Sequence, residues 1–554
     1  MSAPLASRDS QPDGEMSAAA RWSIYALLIV VAAGLTTARI MRNRSPDAFS
    51  PTPFQSANDK SRWCTIRALG DHGIYSIEHI IFYDNGEPVR GWHTIDLVRH
   101  RGPDGREHYY SSKPTLLSTL LAGEYRLIKQ VTGMSLAVPS QVWFVSRLML
   151  MLTNVVPLVV ALYLLARMID QLGQTDWGRL FSFASAAFAT FITTFSSTLN
   201  NHSLAACTLV FALAAAIPIW QNRGRWCRFA LAGLFFACTA ANELPALSLL
   251  VLAAGGLAWK SPWRTALAFM PAVLLVAAAA FGTNIFAHGD WRTPYAHRSD
   301  GPWVGVISPD YRSNLNDGKF TDDLRMAIAK GRVPNTPASG LVISAAAKIT
   351  VLDKDFRWKV FDPESEQEFA LVSNWIGRDA IHIYRWDNWY DYPGTHWDRK
   401  TLTGLDRGES SPLVYAFHCL VGHHGLFSLT PIWLLSALGC WMWLRRGDAT
   451  TRVLAITTIL ITLVVLGFYL SRPQIDRNYG GGTCCLRWLV WLTPLWLLTL
   501  VPAADWIAKS RGGRAAALAL FAVSVFSAHY AADNPWANPW IYNLGEWLGW
   551  WHYP

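Results

Sequence analysis

Charge is scarce in this sequence. Asp, Glu, Lys and Arg together make up only 16% of the 554 residues, while hydrophobic residues make up 51%. That balance argues against a soluble enzyme and for a chain that folds in a membrane. Phosphate-cradling signatures are missing as well: there is no GxxxxGK[ST] loop and no GxGxxG between strand and helix. An ATP-driven transporter and a nucleotide-sugar enzyme of the Rossmann kind are therefore not indicated. The eight cysteines are scattered, without CxxC or regular spacing, so neither a disulfide framework nor a zinc site organises the chain. No internal repeat and no low-complexity linker is present. The formal net charge of +9 calls for no nucleic acid, because basic loops beside anionic lipid account for it.

What is present is apolar sequence in blocks. Ile24 to Ile40, Val142 to Met168, Phe181 to Phe195, Leu204 to Trp220, Phe229 to Thr239 and Leu244 to Trp259 come first. Ala266 to Phe286, Leu429 to Leu444, Val453 to Leu470, Leu486 to Val501 and Ala515 to Ala528 follow. Set against the length a spanning helix needs, these blocks predict a polytopic α-helical membrane protein of about eleven spans, give or take two. Arg223, Arg225 and Arg228, then Lys260 and Arg264, then Arg445, Arg446 and Arg452, then Lys509, Arg511 and Arg514 all fall in loops on one side. The positive-inside rule makes that side cytoplasmic, with the N-terminus inside and the Trp-rich C-terminus outside. Arg39, Arg42 and Arg44 after the first block run against the rule, and the later loops outvote them.

The expected organisation follows. Residues 1–21 form a disordered cytoplasmic tail and 22–40 the first span. A first extracytoplasmic loop covers 41–140, a membrane bundle 141–287, and a large second loop 288–426. Further spans occupy 427–530, and an outer tail covers 531–554. In the first loop, Asn58 or Asp59 caps a helix with Trp63, Ile66 and Leu69 at helical spacing. Such a helix lies half buried on the membrane surface. "IYSIEHIIFY" reads as extended, and "WHTIDLVRH" with "GPDGREHYY" as strand and turn. Pro114 then opens a second amphipathic helix bearing Leu116, Leu117, Leu120, Leu121, Tyr125 and Ile128.

An acidic or amide pair, an arginine three residues on, a surface helix, and a Lys-Pro before an amphipathic helix form a recognisable order. It resembles the GT-C superfamily of membrane glycosyltransferases, in its protein O-mannosyltransferase-like and lipid A aminoarabinose transferase-like branches. Where those relatives carry Asp-Glu, Arg and Tyr, this sequence has Asn58, Asp59, Arg62 and Trp63; where they carry Lys-Pro-Pro-Leu, it has Lys113, Pro114, Thr115 and Leu116. "SSTLNNHSLAA" supplies Asn200, Asn201 and His202 at the turn where relatives place a carboxylate or amide. Asn242 and Glu243 depart from the Lys-Gly-Pro of one branch. "DRNYGGGTCCLRW" is similar to the family's Tyr-Gly-Gly turn, flanked by Arg477 and Arg487 around Tyr479.

The resemblance implies GT-C architecture and a sugar moved from a polyprenyl-phosphate donor to an extracytoplasmic acceptor, with inversion, in a bacterial inner membrane. That chemistry needs a carboxylate to take the acceptor's proton and cations to steady the departing phosphate. By the resemblance Asp59 is the base, and Lys113 with one or more of Arg62, Arg477 and Arg487 holds phosphate. Asn201, His202, Asn242, Glu243 and Tyr479 line the pocket. Bland alternatives stand beside each role: Asp59 as a helix cap, Lys113 as a snorkelling lysine, and Arg62 as half of a surface pair. Neither metal nor cofactor is expected; His418, His423 and His424 lack a carboxylate at ligand spacing. Two rival functions remain, a transporter or flippase of lipid-linked sugars and a degenerate GT-C fold that only binds.

Overall fold

The computed structural model describes residues 16–331, 341, 343–373, 380–397 and 402–553. Residues 1–15 of the expected N-terminal tail lie outside the described residues, and the rest of it leads into the first helix, α1 (Ala18–Arg42), which starts ahead of the predicted span. Among the described residues the chain is mostly helical, and seven helices are long and apolar enough to cross a membrane. Apart from α1 they cover Val142–Leu172, His202–Trp220, Pro262–His288, Ala449–Leu470, Arg487–Ile507 and Arg511–Tyr530. The other four apolar blocks form shorter helices. Phe181 to Phe195 breaks at Ala189, giving Asp176–Phe188 and Phe191–Phe195. Trp226–Asn242, Leu244–Lys260 and Trp433–Arg446 stay below the length of a full span. A helix rises about 1.5 Å per residue, so such pieces fall short of a hydrocarbon core about 30 Å thick. The expected count of about eleven spans thus resolves into seven full-length candidates and a set of part-length helices packed among them.

The first loop region begins with α2 (Ala57–His72). Its cap is neither Asn58 nor Asp59 but Ser56, whose hydroxyl accepts from the Asp59 N–H while the Asp59 carboxylate accepts from the Ser56 N–H. This reciprocal arrangement satisfies two helix-end donors at once. Nor does α2 lie half exposed. Asp59, Arg62, Trp63, Ile66 and Leu69 are all buried, because the polar side predicted to meet water is turned toward the membrane bundle instead. The segment expected to be extended forms a single helical turn, Glu78–Ile81. The hairpin appears as predicted: β1 (Leu97–Arg101) pairs antiparallel with β2 (Glu107–Ser111) in the register Leu97 to Ser111.

The second amphipathic helix, α3 (Thr115–Thr132), packs Leu121, Tyr125 and Ile128 inward and leaves Leu120, Leu127 and Val131 exposed. Tyr125 reaches α2, donating its hydroxyl to Asp71 Oδ1 at 2.7 Å. Gly70 makes that approach possible, since a Cβ there would sit 2.2 Å from the Tyr125 ring. The second loop region carries a five-stranded antiparallel sheet. Its strands are β3 (Trp303–Ile307), β4 (Lys348–Asp353), β5 (Arg357–Asp362), β6 (Gln367–Ser373) and β7 (Ile381–Arg385), in the order β3-β7-β6-β5-β4. Trp358, Phe369, Leu371 and Ile383 form a separate core beneath the helix Asp322–Lys330. The two regions are stitched together where the Arg99 N–H donates to the Trp389 carbonyl at 2.9 Å and His100 stacks on Trp389 at 3.7 Å.

Gly70→Ala should lower Tm in detergent, because overpacking a filled contact costs about 1–3 kcal/mol. Gly123 lies on the neighbouring helix α3 with nothing within 4 Å of an added Cβ, so Gly123→Ala should leave Tm unchanged or raise it. Equal shifts in the two variants would remove the Tyr125 contact as the reason for this glycine.

Candidate active site

The head of the helix His202–Trp220 is capped one residue early. Asn200 Oδ1 accepts the Ser203 N–H at 2.9 Å, while its amide nitrogen donates to the Phe195 and Thr198 carbonyls. Asn201 is thereby released from capping and faces two other elements. Its Oδ1 accepts from Arg62 at 2.6 Å, and its Nδ2 donates to Glu243 Oε1 at 2.7 Å and to the Asn242 carbonyl at 2.8 Å. Glu243 occupies the break between Trp226–Asn242 and Leu244–Lys260, which Pro245 enforces by lacking an amide hydrogen. Its Oε1 also contacts His202 Nδ1. Arg62 completes the chain with bonds to the Asn58 side chain and carbonyl. Five of the residues singled out in the sequence, Arg62, Asn201, His202, Asn242 and Glu243, thus converge, Asn242 through its backbone alone.

Lys113 is buried and pairs with Asp96 at 2.8 Å. Asp96 also accepts from the Ser112 hydroxyl at 3.2 Å, and the Lys113 ammonium stands 5.6 Å from the Tyr295 ring centre. Arg487 heads the helix Arg487–Ile507, with its guanidinium 5.0 Å over the Trp536 ring and a buried Nε that has no hydrogen-bond partner. The Tyr-Gly-Gly turn makes room for it. Gly480 has φ +98°, and a Cβ there would come within 2.9 Å of Arg487 Nε, so both conformation and space call for glycine.

These charges act on one another. Burial lowers the Arg62 pKa, while Tyr295 and Asp96 work in the opposite direction and Arg487 adds to the lowering. For Asp96, burial favours the neutral acid, but the Lys113 charge and hydrogen bond, with Arg487 and Arg62 behind them, hold the carboxyl below its ordinary value. Buried Arg62 and Lys113, with the half-buried Arg487, therefore lie within electrostatic reach of two buried carboxylates, Asp96 and Glu243. His202 Nε2 is likewise buried without a partner. A buried polar atom left unpaired costs about 1–3 kcal/mol, and the unpaired Arg487 donor beside a surplus of positive charge suits an anionic, oxygen-rich ligand.

The remaining candidates fall elsewhere. Asp59 is 2% exposed, and four donors occupy its carboxylate. Oδ1 accepts from the Ser56 N–H and hydroxyl, and Oδ2 from the Gln55 N–H and the Thr198 hydroxyl. Burial raises its pKa against those bonds. The residue expected to act as base thus closes the capping box begun by Ser56 and ties α2 to the turn before His202. Arg477 spends its guanidinium on the carbonyls of Arg472 and Ser410, at 2.8 and 3.0 Å. Tyr479 is buried against His424, with its hydroxyl 3.4 Å from Glu409. Among the described residues no hydrogen bond joins Arg477 or Tyr479 to the Arg62 network. Sequence reasoning missed Asp96 and Tyr295. The only available signal was an acidic residue entering a predicted strand, in "WHTIDLVRH".

Comparison with known proteins adds three findings. No curated protein matches the sequence. Among solved structures, the chain is similar to the oligosaccharyltransferase of Archaeoglobus fulgidus in its apo form, at 13% identity and a TM-score of 0.41. It is also similar to the archaeal oligosaccharyltransferase AglB from Archaeoglobus fulgidus in complex with an inhibitory peptide and a dolichol-phosphate, at 12% identity and a TM-score of 0.41. These matches cover 93% and 94% of this chain, which spans just over half, 56%, of either relative. Residues 133–349, which include Asn201, His202, Asn242 and Glu243, match the model for glycosyltransferase family 87. The resemblance to membrane glycosyltransferases carried by the first loop is thereby joined by a glycosyltransferase family match on a separate stretch of the chain.

Proposed function

We propose that the protein is an inverting membrane glycosyltransferase of GT-C architecture, transferring a sugar from a polyprenyl-phosphate donor to an acceptor on the extracytoplasmic side. The observation that carries this reading is the set of three cations, Arg62 and Arg487 near Glu243 and Lys113 on Asp96, all acting on one another's carboxylates. A departing phosphate needs fixed cations in a water-poor site, where they act more strongly than in water. Arginine suits this task because its planar fork matches phosphate oxygens.

Lipid access supports the same reading. Glu243 is 5% exposed, and the next residue, Leu244, is 69% exposed on the apolar surface. Leu120 and Leu127 on α3 and Phe281 and Phe286 near the end of Pro262–His288 are exposed apolar residues as well. Thr115, which opens α3, is hydrogen-bonded to Asn284 at 2.7 Å, so α3 and that helix lie side by side. A polyprenyl tail running along this apolar seam would bring its phosphate toward Lys113. Asp59 enters the proposal as the residue that fixes the start of α2, and with it Arg62.

The reaction is tested by incubating purified protein with membrane lipid extracts carrying a labelled sugar and following label into the acceptor fraction. Arg487→Ala should lower kcat/KM by roughly 10²-fold, the usual effect of removing one oriented donor. Arg90→Ala, which breaks an exposed pair with Asp47 and a contact with the exposed Phe49 ring, should change it little. Lipid-phosphate binding without any transfer by the wild-type protein would favour a carrier-binding role instead.

A second outcome concerns Asp96. Its depressed pKa means that the Lys113 pair stabilises the fold fully above the ordinary carboxylate value of 3.8 and loses that contribution as pH falls below it. Asp96→Asn should flatten Tm against pH in that acid range. It should also lower stability near neutrality by about 3–5 kcal/mol, because Lys113 is left buried and unpaired. An unchanged acid limb would assign that pH dependence to other carboxylates.

A further inference from the structure

The proposed transfer needs a proton acceptor, and Asp59 has no free lone pair to serve as one. Four donors already occupy its two oxygens. Asp96 is held by Lys113 and Ser112, and a carboxylate stabilised as an anion is a weak base. His202 differs from both. It is the first residue of its helix, 4% exposed, and Phe195 meets its ring edge-on with centroids 5.8 Å apart. Glu243 Oε1 lies against Nδ1, and Asn201 fixes that same oxygen from the other side at 2.7 Å. A carboxylate on Nδ1 keeps the proton there, which leaves the lone pair on Nε2. Nε2 is the atom with no partner in the protein.

We propose that His202 is the general base of the transfer and that Glu243 is its positioning residue. This inference rests on the glycosyltransferase reading above. His202 Nε2 takes the proton of an acceptor hydroxyl as that oxygen forms its bond to the anomeric carbon. The bond from the anomeric carbon to the phosphate oxygen breaks at the same time, and its electron pair leaves with the polyprenyl phosphate. Glu243 holds the ring and balances the imidazolium that results, the role a buried acid plays behind a catalytic histidine. The acceptor is accordingly a hydroxyl compound. The charged groups bearing on the imidazole are Glu243 from the helix break, Arg62 from α2 and Arg487 from the head of its helix. Arg62 and Arg487 also place the phosphate-binding side of the site next to the base.

The test compares wild type with His202→Gln, Glu243→Gln and Asp59→Asn in the lipid-extract transfer assay across pH, with donor KM and Tm measured for each. Wild-type transfer alone decides whether the protein is a transferase, and its absence would bring down both readings together. Given transfer, His202→Gln should lower kcat by about 10²- to 10⁴-fold. Its donor KM should stay within a few-fold, and the acid limb of the pH profile should disappear. Glu243→Gln should move that limb to lower pH, because the imidazolium loses its counter-charge, and this shift carries the test if His202→Gln proves unfolded by Tm. His202→Gln with near wild-type kcat would overturn the assignment. So would an Asp59→Asn protein of unchanged Tm that has lost transfer while His202→Gln keeps its acid limb.

Discussion

A guanidinium with no water around it is the constraint on which the rest of this structure depends. Arg62 is 3% exposed and sits on a helix of the first loop region, yet its partners lie both on that helix and on the membrane bundle. Taking such a charge out of water costs several kcal/mol unless hydrogen bonds and neighbouring charge replace the solvent. Asn58 and Asn201 supply the bonds, and Asp96 and Glu243 supply the charge. The local oddities serve this placement. Ser56 and Asp59 start α2 so that Arg62 faces inward one turn later. Asn200 takes over capping so that Asn201 is available. Pro245 breaks a membrane helix where Glu243 has to turn toward the site.

Much of the fold was legible because bilayers impose length. Each of the seven long apolar helices contains a block visible in the sequence, since a spanning segment must satisfy its backbone within itself. Where apolar blocks were short, hydropathy could not tell a span from a buried fragment, and Phe181 to Phe195 illustrates why. It is continuous in composition but broken in conformation at Ala189. The hairpin at Leu97–Ser111 was readable from a strand-and-turn signal with Asp-Gly marking the turn. The burial of α2 was not, because it depends on polar residues finding partners far away in the chain.

The site divided along the same line. Asn201, His202 and Glu243 were visible as polar residues at the ends of apolar runs, where such groups are costly without a purpose. Asp59 was visible too, but its two possible roles leave the same mark in sequence, and its bonds to Ser56, Gln55 and Thr198 appear only in the fold. Lys113 was found without Asp96 because pairing across a loop leaves no spacing rule. Arg477 and Tyr479 carried a family pattern, but their side chains bond to the segment around Glu409 and Ser410 and, for Tyr479, lie against His424.

The stitch between the two loop regions has a mechanical consequence. Asp96, the counter-ion of Lys113, immediately precedes β1, and three residues further along the Arg99 amide is bonded to Trp389 beyond the end of the sheet. A pull on the sheet is therefore delivered to the strand that begins beside the lysine's partner. A ligand that settles on the sheet and tilts it works on a lever whose short arm ends at the buried ion pair, so the two loop regions behave as one machine part rather than two.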